Sequence, residues 1–183
     1  MKLKKATLII CNKNGGGLLT YQGFKVKKIF VIAFVLLTSV LAGCAAPKYT
    51  ATAIANDYES GDVQVVIIND EKTREGFQKT MESWLDKHNF KYTTSSDGSK
   101  HDLEKLTLEY EGHWGWDLAL YMNDAYIEAF QNGQRVGKVE FKAPNSLNGN
   151  KFGNAEERIG YMMSVLFGRM TEENATKTIN SSN

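Results

Sequence analysis

Cysteine is almost missing from this chain. Two occur in 183 residues, Cys11 and Cys44, and none follows. A disulfide, a thiolate nucleophile or a thiolate metal site is therefore excluded from everything downstream, whatever the compartment. Histidine is also scarce. His88, His101 and His113 lack metal-ligand spacing, and no H-E-x-x-H helix or EF-hand loop is present. No glycine-rich phosphate loop or dinucleotide fingerprint occurs. No G-x-S-x-G elbow is present to supply a serine nucleophile. Long apolar runs are lacking too. The best, Ile29 to Gly43, offers 15 residues, short of the roughly 20 needed to span a bilayer as a helix.

That short run has a context. Lys25, Lys27 and Lys28 precede it. Only Thr38 and Ser39 interrupt it before Leu41, and Leu41-Ala42-Gly43-Cys44 ends it. A basic flank, a short apolar segment and a small-residue cleavage site describe a secretory signal over residues 26–43. The L-A-G-C ending resembles the lipobox of bacterial lipoproteins. The resemblance implies that the chain is cut before Cys44 and that Cys44 is acylated. Residues 1–25 do not fit a signal, whose basic region is short. Gln22-Gly23 can be encoded with a ribosome-binding AAGGA ahead of Val26, a possible GTG start. Residues 1–25 then read as a start-site artefact, and a long basic region is the alternative.

Charge splits at the same point. Residues 1–43 hold seven of the 22 basic residues and none of the 21 acidic ones, which leaves Cys44–Asn183 at a formal −6. A nucleic-acid role needs a basic footprint, so it is excluded. The 140 residues from Cys44 onward suit one domain that can bury a core without cross-links.

Residues 44–61 read as a tether holding the domain off the bilayer. Val63–Ile68 is a β-branched strand. Thr73–His88 carries Phe77, Met81, Trp84, Leu85 and His88 on one helical stripe, with Asp70 or Thr73 as cap. Phe90–Thr94 is β-prone. Leu106–Tyr110 alternates, and Trp114, Trp116, Leu118, Leu120 and Met122 continue its even-numbered face as one long ribbon, bent or bulged at Gly112 and Gly115. The phase shifts near Asn123-Asp124. Asn132-Gly133 marks a type I′ hairpin before Val136–Phe141. Asn154, with Glu157 three residues on, begins a second helix carrying Ala155, Ile159, Met162, Met163, Leu166 and Phe167, ended by Gly168. Residues 169–183 read as a frayed polar tail. The expected fold is α+β over residues 62–168: a two-layer sandwich, mainly antiparallel, with two helices on one face.

The densest cluster is Tyr110–Tyr121, with His113, Trp114, Trp116, Asp117 and Tyr121. It can be an aromatic binding patch or part of the core. Aromatics bury large areas, so Trp116 and Trp84 are assigned to the core. His113 and Asp117 share a strand face but lie about 13 Å apart by rise per residue, too far for an acid–base pair unless a bulge at Gly115 closes the gap. Asp57, Glu59 and Asp62 read as solvated rather than calcium ligands. No catalytic, cofactor or metal site is assigned.

W-x-W-D-L-A-L-Y (Trp114–Tyr121), N-G-x-x-V-G (Asn132–Gly137) and K-F-G-x-x-E (Lys151–Glu156) together resemble a family of small proteobacterial lipoproteins of unknown function, over roughly Val63–Phe167. The resemblance implies an α+β lipoprotein with no established activity, and it carries no site residues across. The expected role is a non-enzymatic lipoprotein without cofactor. It is held by Cys44 to the periplasmic face of the outer membrane, because Ala45 replaces the aspartate that retains enteric-type lipoproteins in the inner membrane. It binds an envelope protein or component. An accessory lipoprotein of a transport or assembly complex is the alternative.

Overall fold

A computed structural model describes residues 46–55, 63–144 and 149–181. Cys44, the signal segment, and Asp57, Glu59 and Asp62 lie outside the described residues. The elements run β1 (Lys48–Thr52), β2 (Gln64–Ile68), α1 (Gly76–Lys87), β3 (Lys91–Ser95), β4 (Leu106–Asp117), β5 (Ala119–Gln131), β6 (Gln134–Lys142), α2 (Ala155–Leu166) and α3 (Glu172–Ser181). A 3-10 turn, Gly149–Phe152, precedes α2.

The strands form one open sheet in the order β1-β6-β5-β4-β2-β3. The class is α+β, as expected. Pairing is antiparallel from β1 through β6 and β5 to β4. β2 runs parallel to both β3 and β4, with α1 as the crossover from β2 to β3. The Asn132-Gly133 turn forms as expected, with φ of 52° and 73°.

Register builds one apolar face from rows of paired residues. Tyr49, Phe141, Ala125 and Gly112 make one row. Ala51, Val139, Ile127 and Tyr110 make the next, and Gly137, Ala129, Leu108 and Ile67 a third. Both long helices meet this face. Phe77 of α1 stacks on Tyr110 at 4.9 Å, and Arg158 of α2 lies 4.9 Å from the Phe141 ring. Trp84 of α1 donates its indole N–H to Ser164 of α2 at 3.0 Å.

Capping differs between the helices. Asn154 caps α2 by accepting the Glu156 amide at 2.8 Å. The capping box is incomplete, because Glu157 accepts the Tyr161 hydroxyl instead. α1 has Glu75 at its N-cap position, with no side-chain cap. Thr73, expected as a cap, donates to Asp70 at 2.6 Å and accepts the buried Gly112 amide at 2.9 Å. Its hydroxyl ties the approach to α1 onto β4.

Two assignments at the ends are corrected. Part of the expected tether is β1, an edge strand whose Tyr49 is only 2 % exposed. Part of the expected frayed tail is α3, which buries Ala175 and Ile179. α3 also satisfies the outward side of β1. Thr176 accepts the Tyr49 amide at 3.2 Å and Glu172 accepts the Ala51 amide at 2.8 Å. An edge strand otherwise leaves such amides unpaired. Both segments are polar because each contributes few residues to the core, and composition alone hides them.

Candidate interaction surface

The ribbon read as one strand is a hairpin. β4 ends at Asp117, β5 begins at Ala119, and Trp116 pairs with Leu120. Leu118 alone makes the reversal, at φ 62°. That left-handed backbone is unfavourable for a bulky L-residue. A bulge between His113 and Trp114 resets the phase on the way to the tip. Two glycines permit this geometry. A Cβ on Gly112 would meet the Trp114 ring at 2.7 Å, and one on Gly115 would meet Tyr121 at 2.8 Å. Each glycine lets a large ring lie flat against backbone.

The tip carries the tryptophan that sequence reading assigned to the core. Trp116 is 74 % exposed, Leu118 88 % and Leu120 47 %. Trp114 packs edge-on against Phe77 and its partner Met122 is fully buried. Trp116 and Leu120, one repeat further along the same ribbon, have passed beyond that packing. Alternation looks the same on covered and uncovered sheet, so the pattern could not separate them.

The tip is braced from behind. Arg158, fully buried, donates to the carbonyl of Lys151 at 2.9 Å and to that of Asn150. Burial holds its pKa below the ordinary arginine value. The guanidinium thereby fixes the 3-10 turn. Lys151, itself buried, reaches from that turn to the Asp117 carboxylate at the base of the tip. It also lies 5.2 Å from the Tyr121 ring and 4.9 Å from that of Phe152. The Lys-Phe-Gly element was the sequence signal for this brace. Arg158 carried none, because a charge within an apolar stripe reads as solvated.

His113 and Asp117 do not meet. Asp117 pairs with Lys151. His113 lies on the open side of the sheet between Asp124, 2.7 Å from its Nδ1, and Glu111, 3.0 Å from its Nε2. Tyr126 donates to the same Glu111, and Glu128 takes both Arg135 and Lys138. The result is a charged, paired surface. His88 stacks on Trp84 and His101 on Phe130, with Glu109 at 2.9 Å from the His101 ring. Among the described residues no set of three or more His, Cys, Asp or Glu is placed to hold a metal ion. A polar depression of about 490 Å³ lies beside α1, lined by Asn69, Gln78, Glu82, Thr94 and Ser95.

The hydrogen bond that Asp124 accepts from the ring, with added attraction from both carboxylates, raises the His113 pKa above 6.5. A raised pKa means that protonated His113 adds stability below about 6.5, and that this is lost as pH rises through the folded value. The ring is half exposed, so the stability effect is small and the titration itself is the measurement. NMR should place the His113 midpoint above 6.5, and Asp124→Asn should bring it down. A wild-type midpoint at or below 6.5 would show that the pairing does not form.

No family model matches the sequence, and no curated protein matches it. Among solved structures, a PelC dodecamer from Paraburkholderia phytofirmans is similar over 66 % of this chain and 93 % of that one, at 10 % identity and a TM-score of 0.43. Among the described residues no helix is long and apolar enough to cross a membrane.

Proposed function

We propose that this chain is an envelope lipoprotein, held by acylated Cys44 on the periplasmic face of an outer membrane, and that it acts as a non-catalytic binding or structural module. The observation that carries this reading is the spacing between lipobox and fold. L-A-G-C ends at Cys44, and the sheet begins at Lys48. A cut before Cys44 leaves every strand and helix of the described fold on the anchored side. The surface features suit binding. They are an exposed apolar tip on a braced hairpin and an open sheet face whose histidine is engaged by carboxylates.

Labelling cells with radioactive fatty acid tests the anchor. The full chain should take up label and fractionate with outer-membrane markers. Cys44→Ser should lose the label and remain uncut. Label persisting in Cys44→Ser defeats the anchor, and co-fractionation with inner-membrane markers defeats the outer-membrane placement. Cross-linking in native membranes then identifies the bound component. Capture of a transport or assembly protein would specify an accessory role.

A further inference from the structure

The start of β1 and the hairpin tip lie at the same end of the sheet. Lys48 pairs with Lys142, Lys142 with Asp124, and Asp124 with His113, so these four residues form one row across the strands. From Lys48, β1 runs toward Thr52, which pairs with Lys138. That direction leads away from the tip, so β1 begins at the end of the sheet that carries the tip. On β4, His113 to Asp117 carries the hairpin about 13 Å past the row. From Lys48 back to Cys44, a fully extended chain reaches at most about 14 Å. Cys44 and the tip can therefore stand at one level.

We infer that the β4–β5 hairpin tip is a second membrane contact, in which Trp116, Leu118 and Leu120 enter the same lipid leaflet as the acyl chains of Cys44. This rests on the anchor reading above. Three observations on the tip itself support it. A bulky apolar residue, Leu118, occupies a left-handed turn position where Gly or Asn would be less strained, and its side chain is almost wholly exposed. Tryptophan and tyrosine favour the boundary between water and hydrocarbon, and Trp116 stands exposed with Tyr121 behind it. The surrounding charge is also favourable. Lys48 and Lys142 are exposed and adjacent on the row behind the tip, where anionic headgroups attract cations. Asp124 of that row and Glu111, two residues before His113 on β4, are both engaged by His113. The brace from Arg158 through Lys151 to Asp117 holds the hairpin in place, so little conformational freedom must be lost on insertion.

Tryptophan fluorescence reads this directly. The full chain, exported and extracted from cell membranes, is reconstituted into phosphatidylethanolamine–phosphatidylglycerol vesicles, with or without lipids brominated near the headgroup. Intact mass of the same sample reports acylation. Subtracting the Trp116→Phe spectrum isolates Trp116 from Trp84 and Trp114. The Trp116 emission should be blue-shifted and lose intensity in brominated vesicles, and Leu118→Asp should abolish that loss. An acylated, vesicle-bound chain whose Trp116 is untouched by brominated lipid but quenched by aqueous iodide overturns the inference and leaves the anchor standing. A chain without acyl mass overturns the anchor. Trp116 quenching in that same sample still decides the tip, its presence supporting insertion and its absence overturning it.

Discussion

Trp84→Ala should lower the melting temperature steeply, while Trp116→Ala should leave it nearly unchanged. Trp84 is 6 % exposed. It stacks on His88 at 3.9 Å, packs on Phe167 at 5.0 Å and lies parallel to Phe90 at 6.1 Å. Its indole N–H is the direct polar link between α1 and α2. Truncating such a side chain costs about 3–5 kcal/mol from lost transfer energy and the cavity left behind, and Ser164 would lose its partner as well. A domain holds only about 5–15 kcal/mol in total. At roughly 4 °C per kcal/mol for this size, the shift is on the order of 12–20 °C. Trp116 touches water on most of its surface, so its removal should fall within about 0.5 kcal/mol of neutral. Paired thermal melts by circular dichroism check both. Equal losses for the two variants would return Trp116 to the core and remove the apolar tip as a surface feature.

Ending the chain after Gly168 should be more damaging still, although the lost residues look expendable in composition. The deletion removes α3. Ala175 and Ile179 leave the core, and burying an isoleucine alone is worth about 1.5–3 kcal/mol. The amides of Tyr49 and Ala51 lose Thr176 and Glu172, at about 0.5–1.5 kcal/mol per bond. Asn180, which donates to the Pro47 carbonyl at 3.4 Å, is lost as well. β1 then has an open outer edge, and Tyr49 loses the helix that covers its strand. The expected result is a low, broadened melt with β1 unprotected in hydrogen exchange. Ile179→Asp should reproduce much of it by placing a charge in the core. A chain ended at Gly168 that melts like the full one would show that α3 is accessory to the fold.

The elements that the pattern revealed share a cause. In β4 as far as Tyr110, and in α1 and α2, apolar residues recur at the period of the backbone and the repeat lies beneath its partner layer, while β2 is an unbroken apolar run with four successive buried residues. Local spacing and tertiary burial therefore agree. The Asn132-Gly133 turn was equally legible, because two left-handed residues in succession admit few sequences. The other hairpin was not. Leu118, not Gly or Asn, occupies the left-handed position of Asp117-Leu118-Ala119, and the reversal is enforced by strand pairing on both sides and by Lys151 holding Asp117. The exposed tip follows from the same misreading, since a long amphipathic ribbon and two shorter strands have identical alternation.

The α+β class, the two apolar helices, the type I′ hairpin and a lipobox-like L-A-G-C ahead of the fold were all legible along the chain. Each of these depends on residue type at short range: period, turn chemistry, or a motif read along the chain. Long-range packing made a polar segment after Cys44 into an edge strand, and a polar tail into the helix sealing it. It alone brought His113 to Asp124, Lys151 to Asp117 and the buried Arg158 to the Lys151 carbonyl. Those pairings join residues 7 to 127 positions apart, and no local period encodes them. It also decided that Trp116 faces water. Burial depends on where the covering helices stop, and that limit is set by the packing of the whole domain.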